Sequence, residues 1–393
     1  MMPSPVMIQP CADYSPESCE AVIATLVNTF PLLQNIRPGT RVAVKVNLVT
    51  MMKPEKAATT HPALLAALTA YLRSRGAQVT IGDAPGGTYT KTYLDSVYTV
   101  SGMKQTGAAL NQNFDVKHAD YPEAVVLKDF DYTAWLDEAD LIINFCKLKS
   151  HGMMGMSCAV KNMFGVIPGL TKPAYHYRFP DYDQFADMLV DLNEYFRPAL
   201  QIVDAVVGME GNGPTMGKPR HIGAVLASES PYALDLVCAR LIGLGSAQVP
   251  TLRAAARRGL APEQPEDVPL LGALAPFLLT DFDTASADCG IEDFLGGQGL
   301  FAKLGNRFVH DLLAIKPRLA GKLCVGCGKC AGLCPAKAIT MTRQRPVIHR
   351  DACIRCFCCQ EFCPVGAMKA RRSRAGDFAL RLTQRETEQA PSN

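Results

Sequence analysis

The chain has 393 residues, 48% hydrophobic and 20% charged, with a formal net charge of +3. Its length exceeds the roughly 100–200 residues of one ordinary domain, so two or more are expected, and the small net charge gives no argument for a nucleic-acid partner. No apolar run reaches the ~18 residues of a membrane span, and residues 1–20 lack the basic-then-apolar order of a secretory leader. Fifteen cysteines in a chain without such a leader point to a reducing, cytoplasmic compartment instead of a disulfide framework.

In chain order, residues 1–300 read as alternating strands and helices. Residues 41–48 are a β-branched run after the turn pair Pro38-Gly39. His61-Pro62 then opens a helical pattern of Leu64, Leu65, Leu68, Tyr71 and Leu72 that stops at Gly76. Residues 78–83 form the next strand, broken by Pro85-Gly86-Gly87. Strand, helix, strand in that order predicts an α/β domain whose mainly parallel sheet is flanked by helices. Further strands are predicted at 141–147, 200–207 and 222–227, and helices at 182–196 and 232–244. Residues 301–318 read as a linker and 319–372 as a small α+β domain with a hairpin of 339–342 against 346–349. Residues 373–393 read as a flexible tail.

Ligand loops of open α/β sheets lie at strand ends, and the densest chemistry here lies at one of them. The segment from Asn144 to His151 delivers Lys147, Lys149 and His151 at alternate positions, which period two places on one strand face. Gly152 to Gly155 is expected to be a flexible turn. If the following segment is helical, Ser157 and Lys161 share a face, with Asn162 beside them; Lys172 and His176 come soon after. The cations are interleaved with Phe145, Met153, Met154, Met156 and Phe164, which suggests a pocket for a small organic anion, whereas a purely solvated basic loop would not need them. A desolvated lysine lowers its pKa and becomes a proton donor near neutrality. Lys147, Lys149, His151 and Lys161 are therefore the catalytic candidates. Lys45 and Asn47 emerge at a second strand end, where Thr60 is placed to cap the helix begun by Pro62 and His61 is read as structural. Asp83-Ala-Pro-Gly-Gly87 is read as a turn. Glu210 and Asn212 tip a glycine-rich loop and join Lys45, Asn47, Ser157, Asn162, Lys172 and His176 as substrate-binding candidates.

The cysteines carry the most specific signal. Cys324, Cys327, Cys330 and Cys334 follow C-x2-C-x2-C-x3-C with Pro335 next, and Cys353, Cys356, Cys359 and Cys363 repeat that spacing with Pro364 next. Two-residue gaps let three sulfurs converge on one iron–sulfur cage, and in two-cluster ferredoxins the fourth ligand comes from the other run. Two 4Fe-4S clusters are expected, with crossed ligand sets. One is Cys324, Cys327, Cys330 and Cys363; the other is Cys353, Cys356, Cys359 and Cys334. Zinc sites usually pair two ligands with two, not three with one. Of the remaining cysteines, Cys11, Cys19, Cys146, Cys158, Cys238, Cys289 and Cys358, most are read as small core residues.

Together Lys45-Val-Asn47, Thr60-His-Pro62, Asn144 to His151, Ala159 to Gly165, Pro168-Gly169, Asp204, Met209 to Pro214 and Ala233-Leu-Asp235 resemble the domain-of-unknown-function 362 family, over roughly residues 35–250. The cysteine runs resemble a bacterial two-cluster ferredoxin module. The order Ser157, Lys161, Pro168-Gly169 is also similar to nickel-dependent lactate racemases, with different spacing. The family resemblance implies an α/β domain with a polar site coupled to iron–sulfur clusters and names no substrate. The expectation is an iron–sulfur reductase: an external donor, such as a ferredoxin or a reductase, supplies electrons that pass to a small anionic substrate. Two alternatives stay open. One is a non-catalytic electron-transfer subunit, which predicts the lysines on an open surface; the other is an isomerase or lyase with structural clusters.

Overall fold

The structure is a computed structural model and describes residues 4–284 and 314–373. Cys289, most of the expected linker at 301–318 and almost all of the expected tail at 373–393 lie outside these residues. A nine-stranded sheet dominates. Its strands are β1 (Val6–Pro10), β2 (Arg41–Val46), β3 (Gln78–Gly82), β4 (Ala109–Leu110), β7 (Leu141–His151), β8 (Gly155–Ser157), β9 (Leu200–Glu210), β10 (Lys218–Ser228) and β11 (Leu270–Leu271). They run in the order β11-β1-β10-β9-β7-β2-β3-β4, with β8 paired to the end of β7. The β9-β7-β2-β3-β4 run is parallel throughout, and β10 enters antiparallel between β9 and β1. The predicted mainly parallel α/β sheet is therefore present. A separate hairpin joins β5 (Val116–Asp120) to β6 (Asp129–Thr133).

Strand alternation divides the core. Ile143 and Phe145 of β7 face the helices Pro16–Thr29, Pro62–Ser74 and Lys91–Val100, while Cys146 and Leu148 face the helix Pro231–Leu241. Gly82 has the ring of Trp135 packed where a Cβ would stand, the nearest ring atom 2.8 Å away. The side of the Pro62–Ser74 helix that carries Leu64, Leu65, Leu68 and Leu72 is buried, as its spacing predicts.

Three local readings are corrected. β7 runs on through Lys147, Lys149 and His151 and folds back through β8, so the expected flexible turn is a hairpin with Lys149 opposite Ser157. Ser157 therefore lies in a strand, and the short helix begins only at Ala159. Thr60 does not cap the Pro62 helix; His61 does, its Nδ1 accepting from Ala63 N at 3.3 Å. Thr60 Oγ1 instead ties two strands, donating to Phe145 O (2.8 Å) and accepting from Asn47 N (3.0 Å).

In the small domain β12 (Lys316–Leu319) pairs with β15 (Met368–Arg371), and β13 (Ile339–Thr342) with β14 (Arg345–Ile348). The expected hairpin is thus present. This domain packs closely on the large one. Gln360 Nε2 donates to Gly213 O (2.7 Å) and Asn212 Oδ1 (3.1 Å), Tyr182 Oη to Arg355 O (3.2 Å), and Phe357 enters the core beside Met153 and Met154.

Candidate active site

The parallel strands bring their carboxyl ends to one edge, where a cavity of about 580 Å³ opens between the two domains. Asn47 lies just beyond β2, Asp83 just beyond β3 and Lys149 near the end of β7; Ser157, Lys161, Asn162, Lys172 and His176 complete the large domain's polar wall. Lys329, Glu361, Phe362 and Cys363 close it from the small domain. The glycine turn Gly86-Gly87 also lines the cavity, so the Asp83–Gly87 segment is site wall as well as turn.

A chain of amides sets the orientation at Lys149. Its Nζ donates to Asn47 Oδ1 (2.7 Å) and Ala58 O (2.8 Å). An ammonium only donates, so Asn47 must present its oxygen there and its Nδ2 to Asn162 Oδ1 (2.8 Å). Asn162 Nδ2 then donates to Asn144 Oδ1 (2.6 Å), and Asn144 Nδ2 to Gln201 Oε1 (2.7 Å). One N–H of Lys149 remains for the cavity. Lys172 is held alike, by Ala84 O and Ile167 O. Lys161 Nζ sits 5.6 Å from the Phe164 ring centroid, and among the described residues no hydrogen bond or ion pair engages it. Burial pushes Lys149 down to about 7, as does the neighbouring charge of Lys161. Burial likewise pulls Lys172 down to about 7 against the opposing charge of Asp83. His176 is stacked on Phe185 (centroids 4.3 Å apart), and burial keeps it neutral with Nδ1 unpartnered among the described residues.

The three alternate residues of β7 do share a face, yet only Lys149 reaches the cavity. Two strand residues advance the chain roughly 7 Å, so each side chain meets a different neighbourhood. Lys147 ends beneath the start of the Pro62 helix, its Nζ on Asp204 Oδ2 and Tyr14 Oη, each at 2.8 Å. His151 lies at the domain interface. Its Nδ1 accepts from Met153 N and Met154 N (3.1 Å each), so the proton sits on Nε2, 2.9 Å from Glu361 Oε1. Lys45 is likewise outside the cavity wall, buried in an ion pair with Asp83 (2.8 Å). Glu210 accepts from Asp283 N, and Asn212 serves domain docking through Gln360. Glu361 escaped the sequence reading because it belongs to the cysteine motif, and only its place between Cys359 and Cys363 hinted at it.

The cysteines gather as two sets of four. Cys324, Cys327, Cys330 and Cys363 line one small cavity; Cys334, Cys353, Cys356 and Cys359 line another, with Cys358 beside them. The two loops share a backbone: Gly326 and Gly328 are left-handed in the first run, and Arg355 and Phe357 at matching positions in the second. The remote cysteine of each run also accepts a backbone hydrogen bond at 3.2 Å, Cys334 Sγ from Ala338 N and Cys363 Sγ from Ala367 N. Such N–H···S contacts stabilise cluster thiolates. Among the described residues no three His, Cys, Asp or Glu side chains converge as one metal ion would need. A cube spreads its thiolates one per iron, so the donor sets fit a cube better than zinc. Among the described residues no helix is long and apolar enough to cross a membrane.

Residues 42–240 match the family described as domain of unknown function (DUF362), and residues 316–364 match the 4Fe-4S dicluster domain. Over 263 residues the chain is 32% identical to a thylakoid-associated protein of Synechocystis, covering 64% of this chain and 79% of the relative. Lactate racemase apoprotein from Thermoanaerobacterium thermosaccharolyticum overlays with a TM-score of 0.39 at 12% identity, over 61% of this chain and 57% of its own. A structural-genomics protein from Thermotoga maritima overlays with a TM-score of 0.34 at 11% identity, over 55% of this chain and 56% of its own. The chain spans less than two thirds of either solved structure, and neither likeness bears on chemistry. This chain belongs to the DUF362 family, with a 4Fe-4S dicluster domain following in sequence.

Proposed function

We propose that the protein is an iron–sulfur oxidoreductase that reduces a small organic anion held between its two domains. The observation that carries this reading is the position of Cys363: one residue of the first cysteine set stands on the wall of the cavity that also holds Lys149, Lys161, Lys172 and His176. When bound, two 4Fe-4S cubes supply single electrons at low potential. Cys324, Cys327, Cys330 and Cys363 would hold one, and Cys353, Cys356, Cys359 and Cys334 the other. Lys161, which has no hydrogen-bond or ion-pair partner among the described residues, takes the anionic group. Lys172 adds a second charge-assisted contact, which lowers the barrier to adding negative charge nearby. Lys149, held by Asn47 and Ala58 with one N–H free, gives a proton from Nζ, and a donor that titrates near the working pH suits that task. Phe164 and Phe362 help to exclude water. Lys147 and His151 take no part in the chemistry: the first pairs with Asp204, and the second joins the domains through Glu361. Free thiols and cluster ligands suit a reducing, cytoplasmic setting; thylakoid association is a property of the relative.

Burial of Lys149 inside a cavity does not fit a subunit that only docks a partner, which requires these lysines on an open face. The test is anaerobic. Cluster-loaded protein is reduced, mixed with a panel of unsaturated mono- and dicarboxylates, and its reoxidation followed by visible absorbance. At least one anion should accelerate reoxidation, and Lys161→Ala should abolish the effect while iron and sulfide content stay intact. An anion that binds without accelerating reoxidation sinks the reading. Turnover of that anion by fully oxidised protein would favour the isomerase or lyase alternative.

A further inference from the structure

Residues 316–373 hold twelve Lys and Arg against two carboxylates, Asp351 and Glu361, a net charge of +10; the chain as a whole carries +3, so the remainder carries −7. Glu361 is turned inward onto His151, which leaves Asp351 as the acidic group on this surface. Lys322, Lys337 and Arg343 are exposed, and among the described residues none has a carboxylate partner. Thiolates offset part of this charge.

Within this positive field the first cysteine cavity opens on an apolar rim. Val325, 65% exposed, Met341 and Val365 are exposed apolar residues that line that cavity together with Cys327, itself exposed. The tip of the β13–β14 hairpin closes on the rim, since Gln344 O lies 2.9 Å from where a Cβ on Gly326 would stand. That approach sets Arg343 beside it. Arg345 donates to Gly321 O and, at 3.5 Å, to Cys324 O, placing a guanidinium on the same border. Single exposed apolar residues need no explanation, but these surround the point where a cysteine of the set reaches the surface. Another cysteine of the same set, Cys363, also stands on the wall of the anion cavity. An apolar centre ringed by charges of one sign suits a small, transient, charge-steered contact.

We propose that this face receives a small protein one-electron carrier whose redox centre is ringed by acidic residues, and that electrons enter at the Cys327 side and leave at the Cys363 side. The assignment rests on the reading of the cysteines as cluster ligands. In the step itself one electron leaves the carrier, which is oxidised by one, and would be taken up by the 4Fe-4S cluster that Cys324, Cys327, Cys330 and Cys363 would hold, which is reduced by one. No bond forms and no proton need move.

The test uses the full cluster-loaded chain without any substrate, so its outcome is independent of what the cavity binds. The probe is an acidic flavodoxin. Affinity is measured calorimetrically with both proteins oxidised, and electron entry by stopped-flow with the flavodoxin hydroquinone. The second-order rate should fall about tenfold or more as salt is raised. Lys322→Glu with Arg343→Glu should weaken affinity and rate by a similar factor, while reduction by methyl viologen, a cation, is not slowed. Val325→Ser, which keeps the charge, should weaken affinity and leave the salt slope unchanged. Flavodoxin rates indifferent to salt and to charge reversal overturn the proposal. So does equal slowing of flavodoxin and viologen, which would place the damage in the cluster site. Binding to DNA or anionic vesicles that is lost on charge reversal, with electron entry unaffected, would assign the patch to another partner and overturn it too.

Discussion

Replacing Lys147 by methionine would strand a buried carboxylate. Asp204 is fully buried, its Oδ1 accepting from Tyr14 Oη (2.9 Å) and Val206 N (3.3 Å) and its Oδ2 from Lys147 Nζ (2.8 Å) and His61 N (2.9 Å). Removing one member of such a pair typically costs 3–5 kcal/mol, because the other charge is left without its counterion. Three neutral donors remain here, so Lys147→Met should destabilise the fold by about 3 kcal/mol, near the lower end of that range. Adding Asp204→Asn removes the stranded charge and keeps an oxygen for His61 N. The double variant should therefore be less destabilised than the sum of the singles by roughly 2 kcal/mol. Trp135, the chain's only tryptophan, is buried in the large domain and reports its unfolding by fluorescence in a denaturant titration. Lys147→Met should bind anions as the parent does at temperatures where it is folded. A variant as stable as the parent but unable to bind anions would return Lys147 to the site and refute this argument.

Crossed ligation gives a pairwise test by iron analysis. Cys327→Ser with Cys363→Ser should strip one cube and leave about four irons, whereas Cys353→Ser with Cys363→Ser should leave almost none; the reverse order would mean that each run keeps its own fourth cysteine. Lys149 and Lys172 both titrate near 7 in the fold, against an ordinary value of 10.5. Between about pH 7 and 10.5 the unfolded chain therefore binds more protons, so stability should rise with pH across that window. Anion affinity should fall across the same window, by roughly tenfold for each lysine that gives up its charge, and calorimetry with a dicarboxylate at pH 6 and pH 9 would expose parallel trends as a contradiction. A methyl group at position 165 would collide with Asp83 Oδ1 and Lys45 Nζ. Gly165→Ala should thus be destabilised by about 1–3 kcal/mol and bind anions more weakly, because Asp83 lines the cavity; unchanged affinity would show that this wall adapts. Gln360→Leu removes the donor that holds Gly213 O and Asn212 Oδ1, and limited proteolysis should then cut more readily between the domains.

Local pattern and fixed spacing made much of this protein readable without coordinates. The β-branched runs before Asn47 and Asp83, and the apolar periodicity of the Pro62–Ser74 and Tyr182–Phe196 helices, are short-range signals set by backbone geometry. The cysteine runs are of the same kind, since two-residue gaps confine three sulfurs to one loop whatever surrounds it. Period two likewise put Lys147, Lys149 and His151 on one face of β7. Their different fates depended on what lay opposite each one. Tyr14 and Asp204 come from distant parts of the chain, Asn47 from a neighbouring strand, and Glu361 from the other domain. A side chain's position along its own strand says nothing of these partners, because they are set by sheet order and domain docking. The same holds for Glu361 and Cys363, which local sequence marks only as parts of a cluster motif. Packing of the short helix Cys358–Glu361 against the β7–β8 hairpin, with Glu361 on His151, is what turns them toward the cavity between the domains.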